Sequence, residues 1–179
     1  MSVAYQGQPG AFGHEACLTF VPGHTPVARS SFSDVIASVA NGDTDLGVLP
    51  MENSCAGPVS EVQQLLSTTE LPVLSIHKLP VRMHLLAREG SSLDRIRVVI
   101  SHPVAIRQCA ETLRALGLNS EGASNTAAAA KLVAEIGDST IAVLASEAAA
   151  RLYGLAILRR DVHDRPDNTT TFCVLGRAS

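Results

Sequence analysis

The stretch from Leu46 to Gly57, LGVLPMENSCAG, constrains this chain more than any other. Leu46, Val48 and Leu49 read as the end of a buried strand, and Pro50 is expected to stop it. Glu52, Asn53 and Ser54 follow as three consecutive polar residues, then Ala56 and Gly57. Pro58 suits the first position of a helix over 59–67. A strand that ends in polar residues and turns into a helix is where open α/β sheets bind ligands. The same residues also suit a plain N-cap, with Asn53 or Ser54 accepting from the helix's free N–H groups.

The pattern recurs. Val3–Tyr5 runs into Gln6, Gly7, Gln8, Pro9 and Gly10, and residues 11–20 read as a helix. A glycine-rich turn of this kind can present N–H groups to an anion. It is not G-x-G-x-x-G, so it carries no dinucleotide fingerprint. Residues 97–100 form an apolar strand ending at Ser101, His102 and Pro103, before an amphipathic helix over 105–116. Further strands are expected at 26–29, 45–49, 141–144 and 156–158, and a last β segment at 171–175. Helices are expected over 33–41 capped by Ser33, over 125–136 capped by Asn125 or Ser124, and over 146–153 ended by Gly154. Extended segments at 71–76 and 81–87 are split by Pro80 and read as a crossing between two lobes. Strands alternating with helices predict βαβ units and largely parallel sheets. The fold class is α/β, as two doubly wound lobes over 1–76 and 77–179, with crossing strands near 71–87 and 171–176.

Composition narrows the partners. Hydrophobic residues make up 46% and charged ones 17%, which suits a packed globular chain. A net charge of −3, no basic tract and no Trp argue against nucleic acid. The cysteines at 17, 55, 109 and 173 form no C-x-x-C pair, so buried free thiols are expected rather than a zinc site. No apolar run reaches 18 residues, so no membrane span is expected. The N-terminal stretch lacks the basic and apolar regions of a signal peptide, and a cytoplasmic protein is expected.

Four segments, AYQGQPGAFGHEAC (4–17), LPMENSCAGPV (49–59), SHPVAIRQC (101–109) and DNTTTF (167–172), resemble the motifs of the prephenate dehydratase domain in order and spacing. The resemblance runs from residue 3 to about residue 176. It implies two lobes like those of a type II periplasmic binding protein, with prephenate held in a cleft between them. It implies loss of CO2 and water together to give phenylpyruvate for phenylalanine synthesis. No metal or organic cofactor is expected, because the sequence shows no ligand cluster and aromatisation drives the reaction. The resemblance further implies a homodimer. Two positions depart from the family pattern. The usual Asn-x-Thr-Arg-Phe keeps Asn168, Thr170 and Phe172 but has Thr171 in the Arg place, and Gly13 stands where many members have Ser. The chain also ends at Ser179 without the amino-acid-binding ACT domain that often follows, so no phenylalanine feedback is expected from these residues alone.

The resemblance assigns Thr170 as the catalytic group, hydrogen-bonding the departing ring hydroxyl. Aromatisation supplies the driving force, so modest donation suffices. Prephenate carries two carboxylates, and amides, hydroxyls and helix N-termini are the groups to hold them. The expected substrate-binding set is Gln6, Gly7, Asn53, Ser54, Ala56, Gly57, Ser101, His102, Asn168, Thr171 and Phe172. Glu52 repels a dianion, so protonation or a capping role is expected of it. His102 and His163 read as structural histidines. An Arg restored at Thr171 would be expected to strengthen turnover about tenfold or more. Loss of that Arg also leaves room for a prephenate decarboxylase that keeps the hydroxyl, an arogenate dehydratase, or a binding protein without turnover.

Overall fold

The computed structural model describes residues 1–178 and divides the chain into two units. The first holds Met1–Gln8, Phe12–Val81 and the chain from Asp167 onward; the second holds Pro9–Ala11 and Arg82–Pro166. The division expected at 76/77 therefore falls at 81/82, and the last strand returns to the first unit.

In the first unit β1 (Ser2–Gln6) runs parallel to β2 (Thr25–Arg29) on one side and β3 (Leu46–Asn53) on the other. The final strand β11 (Thr169–Gly176) inserts antiparallel between β3 and β5 (Val73–Pro80), giving the order β2-β1-β3-β11-β5. Side chains alternate across this sheet with period two. Val3, Tyr5, Val48, Phe172 and Val174 pack with Ala16 and Cys17 of α1 (Phe12–Phe20). Ala4, Leu49, Cys173 and Leu175 pack with Val35 of α2 (Phe32–Ala40) and Val62 of α3 (Ser60–Thr68).

The local geometry differs from expectation at several places. Both sheets are mixed: in the first, β11 comes back against β3 instead of continuing a parallel crossover, and in the second, the strand over His84–Arg88 pairs antiparallel with its neighbours. Pro50 does not end β3: it stands opposite Phe172 where the ladder with β11 shifts register, a position that tolerates the missing N–H. Pro58 is not a helix start but lies in the short strand β4 (Gly57–Pro58), which folds back on Glu52 and Asn53. Ser31, not Ser33, caps α2, because Asp34 three residues on completes a capping box with it.

The second unit has the order β10-β6-β9-β7-β8. Here β6 (His84–Arg88) pairs antiparallel with β9 (Ile141–Ala145) and β10 (Leu155–Arg159), while β7 (Val98–Ser101) pairs parallel with β9 and β8 (Asn119–Gly122). The β8 strand carries no sequence signal, since Asn119, Ser120, Glu121 and Gly122 are all exposed and show no apolar alternation. The helix expected over 105–116 is two, α4 (Pro103–Gln108) and α5 (Ala110–Ala115), broken at Cys109. Asp164 caps the second half, accepting from the Glu111 and Thr112 amides at 3.0 and 3.1 Å. Asn125 caps α6 (Thr126–Ile136), and Ser146 caps α7 (Glu147–Tyr153), which ends at left-handed Gly154 as expected. Gly10 joins this unit: its φ of +89° and the 3.2 Å that a Cβ would have to Ala149 and Tyr153 leave room only for glycine. The Gly10 carbonyl accepts from Ser146 Oγ at 2.9 Å.

His84 is buried, and its Nδ1 accepts the Asp161 amide at 3.0 Å, which requires a neutral ring. Burial lowers its pKa, with the Asp161 carboxylate pulling the other way more weakly. The unfolded chain then takes up the proton first. Stability from this group is whole above about pH 6.5 and is lost as pH falls below it. The thermal midpoint should therefore drop between pH 7.5 and 5.5, and His84→Asn should flatten that slope; an unchanged slope would show that His84 titrates alike in both states.

Candidate functional site

Asn53 is the last residue of β3, and Thr170 lies directly across from it in the ladder with β11. They are 117 residues apart in the chain, yet Asn53 Nδ2 donates to Thr170 Oγ1 at 2.9 Å. The same nitrogen donates to Asn168 Oδ1 at 2.8 Å and, more distantly, to the Thr169 carbonyl at 3.4 Å. Asn53 Oδ1 faces the other way and accepts the Cys55 and Ala56 amides, both at 2.9 Å. That is an Asx turn, not the helix N-cap the sequence suggested. It forms because the chain must double back to pair β4 with β3.

Ser54 ties the turn to the incoming strand. Its amide donates to the Thr169 carbonyl, its hydroxyl donates to the Asp167 carbonyl at 3.0 Å, and that hydroxyl accepts the Thr169 amide at 2.9 Å. Each of these bonds joins the turn to 167–169, so Ser54 holds Thr170 in place. Asn168 is buried, and its carbonyl accepts the Val81 amide. Thr170 is 9% exposed, and among the described residues no acceptor takes its hydroxyl proton. Asn53, Ser54, Ala56, Asn168 and Thr170 thus come together at one end of the sheet, with Gly57 opposite Asn53.

Gln6, the last residue of β1, and Gly7 after it lie at the same end. Gln6 Nε2 reaches the Ser30 carbonyl at 3.5 Å, and the Gly7 amide donates to the Arg29 carbonyl. Gly13 sits close under them: a Cβ there would stand 3.2 Å from the Gln6 carbonyl, so a serine requires α1 to give way slightly. Thr171 points to the opposite face of β11 from Thr170, between Glu52 and Lys78 of the neighbouring strands. Glu52 and Lys78 are exposed, and the sequence offered no signal for Lys78 because only the ladder brings it beside Thr171. Phe172 is core, next to the stacked rings of Phe20 and His77.

The two remaining candidates belong to the second unit. Ser101 is fully buried and donates to the Leu144 carbonyl at 2.7 Å, so its hydroxyl serves the β7–β9 pairing. His102 caps α4, accepting the Val104 amide through Nδ1 at 3.2 Å. His163 Nδ1 accepts the Met83 amide. Cys17, Cys109 and Cys173 are buried, and burial pushes their thiols up to about 12, 12 and 11. Cys55 departs from the expectation and is exposed at the tip of the Asn53 turn. Among the described residues no group of three His, Cys, Asp or Glu side chains is placed to hold a metal, and no helix is long and apolar enough to cross a membrane.

The family model described as prephenate dehydratase matches residues 3–179. The chain is 39% identical to arogenate dehydratase/prephenate dehydratase 2, chloroplastic, of Arabidopsis thaliana, over 98% of this chain and 46% of that protein. It is also 39% identical to the bifunctional N-acyl-homoserine lactone acylase/prephenate dehydratase of Komagataeibacter europaeus, over 98% of this chain and 62% of the relative. It therefore spans about half the length of these curated relatives. Among solved structures, a quorum-quenching acylase called GqqA superposes with a TM-score of 0.91 at 38% identity, over 100% of this chain and 65% of that one. The prephenate dehydratase of Arthrobacter aurescens in complex with L-Phe superposes with a TM-score of 0.87 at 27% identity, over 100% and 61%. The expected α/β class holds, and the chain belongs to the prephenate dehydratase family.

Proposed function

We propose that this chain carries out the decarboxylating dehydration of prephenate to phenylpyruvate, with Thr170 as the group that hydrogen-bonds the departing ring hydroxyl. The observation that carries this is the 2.9 Å bond from Asn53 Nδ2 to Thr170 Oγ1, which makes the threonine oxygen an acceptor and leaves its proton to give. In the reaction the carbon–carbon bond to the ring carboxylate breaks and CO2 leaves. That electron pair enters the ring, the 4-hydroxyl departs with its own bonding pair, and a proton from solvent completes the water. Thr170 stabilises the oxygen as charge builds on it and needs no change in its own protonation state. Arogenate is the second substrate to consider, because relatives such as arogenate dehydratase 2 of Petunia hybrida, 37% identical, bear that name. Comparing kcat/KM for prephenate and arogenate tests the assignment: prephenate should be preferred, and a preference for arogenate would move the reading to the amino acid. The expected homodimer and cytoplasmic location are part of the same proposal, and sedimentation of the purified chain tests the first.

The ladder alters what an Arg at 171 is expected to do. Its guanidinium would project on the face away from Thr170, toward the Glu52 carboxylate, with Lys78 flanking it. Cross-strand charge pairs are worth about 0.2–1 kcal/mol. Thr171→Arg should thus shift the thermal midpoint by a few degrees and change kcat/KM by less than about threefold. A tenfold gain in kcat/KM would show instead that the guanidinium reaches substrate.

A further inference from the structure

The side-chain amide of Asn53 can face its neighbours in only one sense. The Cys55 and Ala56 amides can only donate, so the atom 2.9 Å from both must be oxygen. The nitrogen then faces the other way, and its two protons go to the two nearer acceptors, Asn168 Oδ1 and Thr170 Oγ1, with the Thr169 carbonyl at 3.4 Å a more distant third. Both protons are committed, so the amide plane is fixed as well as its sense. Asn168 in turn must present oxygen, because its own NH2 would meet the Asn53 NH2. The chain of hydrogen bonds runs from the turn amides through Asn53 to Thr170, and it has one direction throughout.

We propose that Asn168 and the 55–56 turn amides act as positioning groups that lock Asn53, and that this lock is what makes Thr170 a donor toward substrate. With the opposite sense at Asn53, the Thr170 hydroxyl would donate into the protein and have only lone pairs to offer the departing oxygen. The inference rests on the reading of Thr170 given above and adds the source of its polarity.

The variant that isolates this is Asn53→Asp. It keeps the shape and both bonds from the turn amides, but it replaces the donor facing Thr170 with an acceptor; Asn168, which meets the same atom, can turn its own NH2 to donate to it. The variant should lower kcat by about 100-fold or more, with KM within about threefold, because one aligned donor at a developing oxyanion is worth about 10²–10³ in rate. Asn168→Asp adds the same charge one hydrogen bond away yet preserves an acceptor for Asn53, so it should lower kcat by less than about tenfold. In a Thr170→Ala background Asn53→Asp should cost less than about threefold more, since the group it acts through is already gone. A kcat for Asn53→Asp within tenfold of wild type would overturn the inference. So would equal losses in the two Asp variants, or additive losses in the double variant, each pointing to charge or folding. Thr170→Ala separates the two levels: if it still forms phenylpyruvate at the full rate, the assignment of Thr170 fails. If Thr170→Ala is inactive and Asn53→Asp is not, only the polarity lock fails.

Discussion

Thr170→Ala should lower kcat for phenylpyruvate formation by about 10²–10³-fold while KM stays within a few-fold. The methyl side chain is smaller and the site is nearly buried, so β11 has no reason to move; Thr169 and Phe172 keep their places in the ladders with β3 and β5. What disappears is one hydroxyl, which accepts from Asn53 Nδ2 at 2.9 Å and whose proton is taken by no acceptor among the described residues. Removing an interaction that substrate and transition state share equally would raise KM instead and leave kcat unchanged. Thr170→Ser should recover most of the activity, since the hydroxyl is restored. Steady-state kinetics on the two variants check both statements.

Leu86→Ala should destabilise the second unit by about 2–5 kcal/mol, which lowers a thermal midpoint in a chain of this size by about 10 °C. Leu86 is fully buried on β6, between Val143 of β9 and Ile157 of β10 in the ladder. It belongs to a core with Ala129, Ala130 and Val133 of α6 and Ala149 and Ala150 of α7. The helix side of that core is mostly alanine, so the leucine supplies much of the apolar volume and small neighbours cannot reach into the space it leaves. Urea unfolding followed by circular dichroism measures the loss. A change below about 1 kcal/mol would mean that the cavity collapses freely, contrary to close packing.

Local chemistry is legible in the residues: the alternation of strands and helices, the caps at Asn125 and Ser146, the glycine stop at 154, and the polar cluster after β3 all read from short windows. Pairings between distant parts of the chain are not. Nothing between Asn53 and Thr170 announces that residues 117 positions apart share a hydrogen bond, because that depends on β11 returning antiparallel into a sheet begun by parallel strands. The same return explains why Pro50 can stay inside β3, why Asn53 caps a turn and not a helix, and why Thr171 meets Glu52 and Lys78. Ser101 looks like a ligand because it ends a strand ahead of a helix. Only the neighbouring strand reveals that the Leu144 carbonyl already takes its proton.

The central claim for this chain is that hydroxyl loss accompanies decarboxylation. Incubating the wild-type chain with prephenate and measuring CO2 and phenylpyruvate together tests it most directly. Dehydration assisted by Thr170 predicts the two in equal amounts throughout the time course. CO2 released without phenylpyruvate, leaving a non-aromatic keto acid that retains its hydroxyl, would contradict it.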